Sequence, residues 1–205
     1  MAQQPVIPEE RLVQAAKRGD LAAFNELVLA YQQQVYNIAY RLLGDPDAAA
    51  DATQETFIKA YERLHQHRGG SFRSWVLRIV TNTCYDVLRK QQRYPTQSLD
   101  NLYADTSDRE PDRLPQWQSK DTSPEEMVLR HEIYRVIQEG LLTLSPEHRT
   151  VIVLCDIEGL SYEEIAEVLN IPVGTVKSRL SRARARLRDY LRTHHAELLP
   201  QAYRL

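Results

Sequence analysis

The sequence predicts an all-α protein built as two small helical domains joined by a long acidic linker. Three observations carry that prediction. Apolar residues recur at three- and four-residue spacing in one segment after another, and Asp-Pro or Ser-Pro pairs open several of those segments. Residues 94–124, in contrast, show neither helical nor alternating periodicity and hold four prolines among many Ser, Thr, Asp and Gln residues. A structureless stretch of that length inside one domain conflicts with ordinary loop lengths, so it is read as a flexible linker. No segment needs to be a strand.

Residues 1–19 are set apart as an N-terminal extension, and the first domain is placed at 20–93. Asp20 is an N-cap for LAAFNELVLAYQQQVYNIAYRLLG, where Phe24, Leu27, Val28, Tyr31, Val35, Ile38 and Leu42 form one stripe and Gly44 supplies a stop. Asp45 and Pro46 open DPDAAADATQETFIKAYERL, with Phe57, Ile58, Tyr61 and Leu64 expected to be buried. HQHRGG breaks the pattern, and Ser71 starts FRSWVLRIVTNTCYDVLRKQQR. Its core stripe is Val76, Ile79, Val80, Thr83 and Val87, with Trp75 as a core anchor.

The second domain, 125–195, repeats this grammar and is followed by a tail at 196–205. Ser123 and Pro124 open PEEMVLRHEIYRVIQEGLLTL, and Ser145 and Pro146 open PEHRTVIVLCDIEG. Ser161 with Glu164 makes a capping box for YEEIAEVLN. Asn170, Ile171 and Pro172 form a turn before the last helix.

The composition, 42% hydrophobic and 26% charged, is that of a globular protein, and no apolar run approaches the roughly 18 to 20 residues a membrane span needs. MAQQPVIPEERL lacks the basic and apolar regions of a secretory signal, so a cytoplasmic location and no direct membrane insertion are expected. Cys84 and Cys155 stand far apart without CxxC partners, which fits neither a disulfide framework nor a zinc site. No cofactor or metal is expected. His65 with His67, and His194 with His195, are weak metal pairs unsupported by HExxH, CxxC or a phosphate loop, so the chain is not read as an enzyme.

Charge is unevenly placed. Residues 94–126 hold 3 basic and 8 acidic side chains, whereas 171–188, IPVGTVKSRLSRARARLR, hold six basic residues and no acid. That basic stretch follows LSYEEIAEVLN with the spacing of a helix-turn-helix: Ile165, Ala166 and Leu169 face inward, Ile171 plugs the turn, and Val176 and Leu180 face inward again. The seam continues through Ala183, Leu187 and Leu191. Lys177, Ser178, Ser181 and Arg182 are left on the opposite edge, with Arg182 the best candidate for a base contact in a major groove. Thr175 and the amides at the helix start suit a phosphate, and Arg179 and Arg184 suit phosphate attraction.

The first domain offers two further faces. Asp47, Asp51, Gln54 and Glu55 form an acidic stripe that reads first as solvated surface and second as a dock for a basic helical partner. Ser74, Arg78, Asn82, Tyr85 and Arg89 mix cations, an amide and an aromatic, which is ordinary surface or a platform for single-stranded nucleic acid.

Taken together, DAAADATQETFIKAYERL, FRSWVLRIVTNTCYDVLRK and LSPEHRTVIVLCDIEGLSYEEIAEVLNIPVGTVKSRLSRARARL resemble the extracytoplasmic-function class of bacterial RNA polymerase sigma factors, in the sigma-70 family. The resemblance covers nearly the whole chain. It implies sigma region 2 in the first domain and sigma region 4 in the second, with no room for region 1.1 or a folded region 3. It implies that Asp51, Gln54 and Glu55 bind the polymerase clamp. Asn82 and its neighbours Arg78, Tyr85 and Arg89 would recognise the promoter -10 element as single strand, beside a flipped-base pocket at the loop carrying His67, Arg68 and Phe72. Thr175, Lys177, Ser178, Arg179, Ser181 and Arg182 would read the -35 element as duplex. Ser181 stands where relatives often carry a bulkier or more basic residue, and Asp86 at a position that is often amide, so the exact promoter sequence does not carry over from the resemblance.

The implied function is that of an alternative sigma factor: it binds core RNA polymerase, directs it to -35 and -10 elements of promoter DNA and stabilises promoter melting, in a stress or envelope response. The acidic linker would pass near the active-site channel of the polymerase. An anti-sigma factor, often membrane-anchored in the family, is a further expected partner. The competing reading is a conventional helix-turn-helix regulator acting without polymerase, which leaves the first domain without a task.

Overall fold

Proline and short polar side chains decide where the helices begin. The computed structural model describes residues 8–93 and 124–196. Residues 1–7, positions 94–123 of the acidic linker expected at 94–124, and the tail from 197 lie outside the described residues. Helix α1, Glu9–Lys17, follows Pro8 without a side-chain cap. Helix α2, Leu21–Leu43, starts where the Asp20 carboxylate accepts from the Ala22 and Ala23 amides at 2.9 and 3.2 Å. It stops at Gly44, whose left-handed φ of 79° lets its amide return to the Tyr40 carbonyl. Asp45 caps α3, Pro46–Glu62, through the Ala48 amide at 2.7 Å. A 3-10 turn, Leu64–Gln66, leads to the loop before α4, Phe72–Arg93, whose first turn is capped by Ser71 Oγ accepting from the Ser74 amide.

The second set of helices begins with α5, Pro124–Leu142. Helix α6, Pro146–Ile152, runs on into one π-helical turn, Val153–Ile157. Helix α7, Tyr162–Leu169, has the expected reciprocal cap: Ser161 Oγ accepts from the Glu164 amide, and the Glu164 carboxylate accepts from the Ser161 amide at 2.8 Å. Helix α8, Val173–His194, is the long basic helix. Among the described residues there is no strand, and no helix is long and apolar enough to cross a membrane.

Helix α2 is the axis of the first domain, packing against α1, α3 and α4. Leu27, Val35, Ile38 and Leu42 of α2 meet Phe72, Val76, Leu77 and Val80 of α4 in a dry interior. In the second domain α6 and α7 pack on α8, burying Val151, Leu154, Ile165, Val176, Leu180 and Ala183. Helix α5 lies along the far half of α8. A Cβ placed on Gly140 would stand 2.6 Å from Leu187 Cδ1, so the missing side chain is what allows this approach.

Four sequence expectations change. Residues 1–19 are not simply an extension, because α1 buries Val13 and Ala16 in the first domain's core; so short an apolar stripe gives little periodicity to read. Ile58 and Tyr61 are exposed at 52% and 44% rather than buried, because α3 turns only Ala49, Ala52, Thr56, Phe57 and Ala60 inward. Ser74, assigned to the outward face of α4, is buried. Val87 is only half-buried, at the edge of the core stripe it was expected to complete.

The two domains are docked on one another. The last turn of α2 leaves carbonyls without intrahelical partners, and the second domain supplies several of the missing donors. Gln138 of α5 donates its amide to the Tyr40 carbonyl at 3.2 Å and the Arg41 carbonyl at 3.5 Å. Arg149 of α6, 6% exposed, donates to the Leu42 carbonyl, and also to those of Leu141, Leu142 and Leu144 at 2.9 to 3.1 Å. Its cation thus sits where the C-terminal ends of α2 and α5 converge, the negative poles of both helices. The Arg41 guanidinium lies 3.7 Å from the Tyr134 ring centroid and donates to Gln138 Oε1. Gly44 again matters: a Cβ there would come within 2.7 Å of Leu142.

Replacing Arg149 by Leu leaves these buried carbonyls short of donors, and stability in a urea titration should fall by about 3 kcal/mol. Combining it with Gln138→Ala should enlarge the radius of gyration measured by X-ray scattering. Helix content should hold, because each domain keeps its own core.

Candidate nucleic-acid interface

The turn between α7 and α8 is set by Asn170, the one described non-glycine residue with left-handed backbone, at φ 52°. The Ile171 amide reaches back to the Ala166 carbonyl, and Pro172 then opens α8. Ile165, Val168, Val176 and Leu180 are buried between the two helices, while Ala166, Leu169 and Ile171 are half-buried around them. The seam orients the opposite edge of α8 outward: Lys177, Ser178, Ser181 and Arg182 are exposed and Thr175 is half-buried. Ser178 Oγ donates to the Thr175 carbonyl at 3.0 Å, and the Thr175 amide is already bonded to the Pro172 carbonyl. Lys177 Nζ stands 5.8 Å from the Tyr162 ring centroid, which draws the cation toward α7.

Two arginines differ from the sequence expectation. Arg184 is not a free phosphate ligand: it makes a two-pronged ion pair with Asp156, at 2.5 and 2.9 Å, that ties α8 to the π-helical turn. The Asp156 hydrogen bond raises the Arg184 pKa, keeping the cation fully charged. Arg179 is half-buried rather than exposed and sits close enough to Tyr85 and His148 to act on both electrostatically.

On α4 the candidate face is split. Asn82 and Arg89 are exposed, with Arg89 3.5 Å from Asp86. Arg78 donates to the Glu167 carbonyl of α7, and Tyr85 donates its hydroxyl to Thr150 Oγ1 of α6 at 3.0 Å. Burial raises the Tyr85 pKa, so this donor keeps its proton. Beside them Arg73 donates to Gln34 Oε1 and to the Glu158 carbonyl, and Gln34 donates to the Glu158 carboxylate at 2.7 Å. These contacts extend the docking of the two domains to the face expected to meet single-stranded nucleic acid.

The loop before α4 presents Arg68, Gly69 and Gly70 to solvent, the glycines at φ 102° and 83°. Its two flanking site residues are inside instead. Phe72 is fully buried, and His67 is 5% exposed with its ring 5.2 Å from Trp75 and 6.2 Å from Phe72. Neither His67 ring nitrogen has a hydrogen-bond partner at normal geometry, although the Ser71 backbone lies near enough for a weak hydrogen bond to the ring. Burial, then the Lys17 charge, lowers its pKa and favours the neutral ring. Both ends of the loop are held from α1. Lys17 donates to the His67 carbonyl, and the Glu9 carboxylate accepts from the Phe72 amide at 3.2 Å and from the Tyr31 hydroxyl.

The third cluster, Asp51, Gln54 and Glu55, is exposed along one side of α3 and continues into exposed Ile58. Glu55 pairs with Lys59 at 2.7 Å, and Lys59 also reaches Thr83 Oγ1 of α4. The sequence marked neither Glu9 and Lys17 nor the docking residues Arg73, Gln138, Arg149 and Glu158. Each is a charged or polar side chain in a helix or, for Glu158, in the turn after one, and its importance comes from a partner far along the chain.

Residues 27–94 match the family model for sigma-70 region 2, and residues 134–187 match that for sigma-70 region 4. The chain is 40% identical to the ECF RNA polymerase sigma factor SigE of Mycolicibacterium smegmatis over 187 residues, 90% of this chain and 68% of that one. It is 39% identical to the ECF RNA polymerase sigma factor SigW of Bacillus subtilis, over 89% of this chain and 96% of the relative. Among solved structures, the sigma factor RpoE of Bartonella quintana, in complex with the anti-sigma factor NepR, superposes with a TM-score of 0.61 at 28% identity. The match covers 84% of this chain and 98% of that one.

The Arg184 pairing can be measured directly. A double-mutant cycle of Arg184→Ala and Asp156→Ala should give a coupling of about 0.5 to 1 kcal/mol in low salt, shrinking in 1 M NaCl. Additive effects would mean that the pair does not tie α8 in solution.

Proposed function

Because the chain belongs to the extracytoplasmic-function family of RNA polymerase sigma factors, we propose that its two domains divide promoter reading between them, the α8 edge on duplex -35 DNA and the α4 face on melted -10 DNA. The chain is an alternative sigma factor and not an enzyme; catalysis stays with the polymerase. The observation that supports the division of labour is the pair of exposed polar edges, Lys177 to Arg182 on α8 and Asn82 with Arg89 on α4, carried by separate domains.

On the -35 side, Lys177 and Arg182 donate to base edges or phosphate, and Ser181 offers a hydroxyl. On the -10 side, Asn82 and Arg89 are reachable in the docked arrangement, whereas Arg78 and Tyr85 are held by α7 and α6. Full engagement of melted DNA therefore requires these contacts to give way. Asp51, Gln54 and Glu55, exposed in the docked arrangement, bind the polymerase clamp, and the neighbouring exposed Ile58 adds apolar area to the same surface. The loop at His67, Arg68 and Phe72 lies beside the unpaired bases.

The protein acts in the cytoplasm, where the polymerase and promoter DNA are, in a stress or envelope response. By analogy with the NepR-bound relative, its regulatory partner is an anti-sigma factor, with membrane anchoring of that factor the arrangement common in the family.

Run-off transcription with purified core polymerase on genomic promoter fragments tests the reading. Transcripts should require both this protein and core. DNA binding at the same sites without core would favour the conventional helix-turn-helix regulator instead. On a promoter so mapped, Arg182→Ala should cost about 1 to 3 kcal/mol of -35-dependent binding while core affinity holds. Arg184→Ala should cost less, since its guanidinium is already committed to Asp156.

A further inference from the structure

The loop between the 3-10 turn and α4 needs a definite shape to meet unpaired bases. Its central residues cannot supply one. Gly69 and Gly70 have no side chains, both adopt left-handed backbone, and nothing lies within 4 Å of where their Cβ atoms would be. Arg68 is exposed. Unrestrained, such a segment samples many conformations, and a loop that does so cannot discriminate one base from another by geometry.

Helix α1 restrains it at both ends. At the entry, the Lys17 ammonium takes the carbonyl of His67. At the exit, the Glu9 carboxylate takes the amide of Phe72, the first residue of α4, and so places a negative charge at the positive end of that helix. The other oxygen of the same carboxylate is held by the Tyr31 hydroxyl, whose pKa burial and Glu9 raise, so the donor stays protonated. Glu9 and Lys17 lie at the two ends of α1, eight residues apart, about 12 Å along a helix axis. Buried Val13 and Ala16 seat the helix between them against the domain core. One short rigid element therefore grips the two backbone ends of the exposed loop with groups of opposite charge.

We propose that Glu9 and Lys17 are positioning residues for -10 recognition: by clamping the His67 carbonyl and the Phe72 amide, α1 fixes the span of the loop and so sets its base selectivity without touching DNA. The proposal rests on the reading of this loop as part of the -10 interface. It predicts a separation of effects. Loosening the clamp should flatten selectivity at the base beside the loop and leave polymerase binding, and selectivity at bases read by Asn82, as they were.

The test uses full-length protein with core polymerase and a mapped promoter fragment whose -10 segment is pre-opened by non-complementary strands and randomised. Bound molecules are sequenced, and core affinity is measured in parallel. Glu9→Ala and Lys17→Met should each reduce the best-to-worst base preference at one or two adjacent positions by roughly tenfold, with core affinity unchanged. Glu9→Gln and Lys17→Arg, which keep an acceptor and a donor, should restore most of it. Tyr31→Phe, which removes one hydroxyl and little volume, covers the case in which Glu9→Ala fails to fold and should give a smaller shift at the same positions. Arg68→Ala provides the reference. If it alters the profile while Glu9→Ala, Lys17→Met and Tyr31→Phe leave it as in the parent, the clamp has no positioning role and the proposal is overturned. If Arg68→Ala and the clamp variants all leave the profile unchanged, the proposal is overturned together with the reading of the loop on which it rests.

Discussion

The end of α2 is the constraint on which the arrangement of this molecule depends. A helix of 23 residues that terminates inside a protein leaves carbonyls that need donors, and here Gly44 returns only one amide, to Tyr40. Gln138 and Arg149, both from the second domain, supply donors to the Arg41 and Leu42 carbonyls, and Gln138 adds a second bond at Tyr40. The buried arginine has no carboxylate among its bonded partners, and its charge is balanced by the convergent ends of two helices. Such a charge is expensive to bury and more expensive to leave buried without its acceptors, so the site behaves as all or nothing. The first domain's central helix and the second domain's α5 and α6 are consequently positioned by the same guanidinium.

From that pin the remaining docking contacts follow in a line along α2 and α4. Arg41 rests on Tyr134, Arg73 holds the Glu158 carbonyl, Arg78 holds the Glu167 carbonyl and Tyr85 holds Thr150. Most of these join an arginine of one domain to a backbone carbonyl or a ring of the other, with few carboxylates involved. Carbonyl acceptors carry no net charge, so the contact is weaker than an ion pair in a dry site and less sensitive to salt. Burial raises the pKa of Glu158, the one carboxylate within this line, although Gln34 and the nearby arginines work against that shift. The domain surface is built to hold and to release.

Much of this was legible in the sequence. Every Asp-Pro or Ser-Pro opening proved to be a helix start, and the Ser161 and Glu164 capping box is present as drawn, because capping is decided within four residues of chain. The inward seam of the helix-turn-helix was legible for the same reason: side-chain period and turn residue are local. What could not be read is whatever needs a partner remote in sequence. Arg149 looks like any helix arginine until Leu42 is beside it, and Glu9 looks like a first-turn acid until Phe72 is. Arg184 belongs to the basic run by composition but to Asp156 by geometry. Ile58 and Tyr61 mislead in the opposite way, since apolar residues at helical spacing are expected inside and these lie outside.

The close approach at Gly140 also gives α8 a mechanical character. Leu187 and Tyr190, near its far end, rest against α5 where a side chain on Gly140 would block them, while Lys177 and its neighbours lie thirteen residues away from Tyr190. At 1.5 Å per residue that is an arm of about 20 Å, rigid because it is one unbroken helix. A tilt of 5° at the fulcrum displaces the reading end by about 1.7 Å, more than half the length of a hydrogen bond. The smallest residue in α5 thus acts on the aim of the basic edge from its far end, while α6 and α7 hold the same helix at Val176 and Leu180.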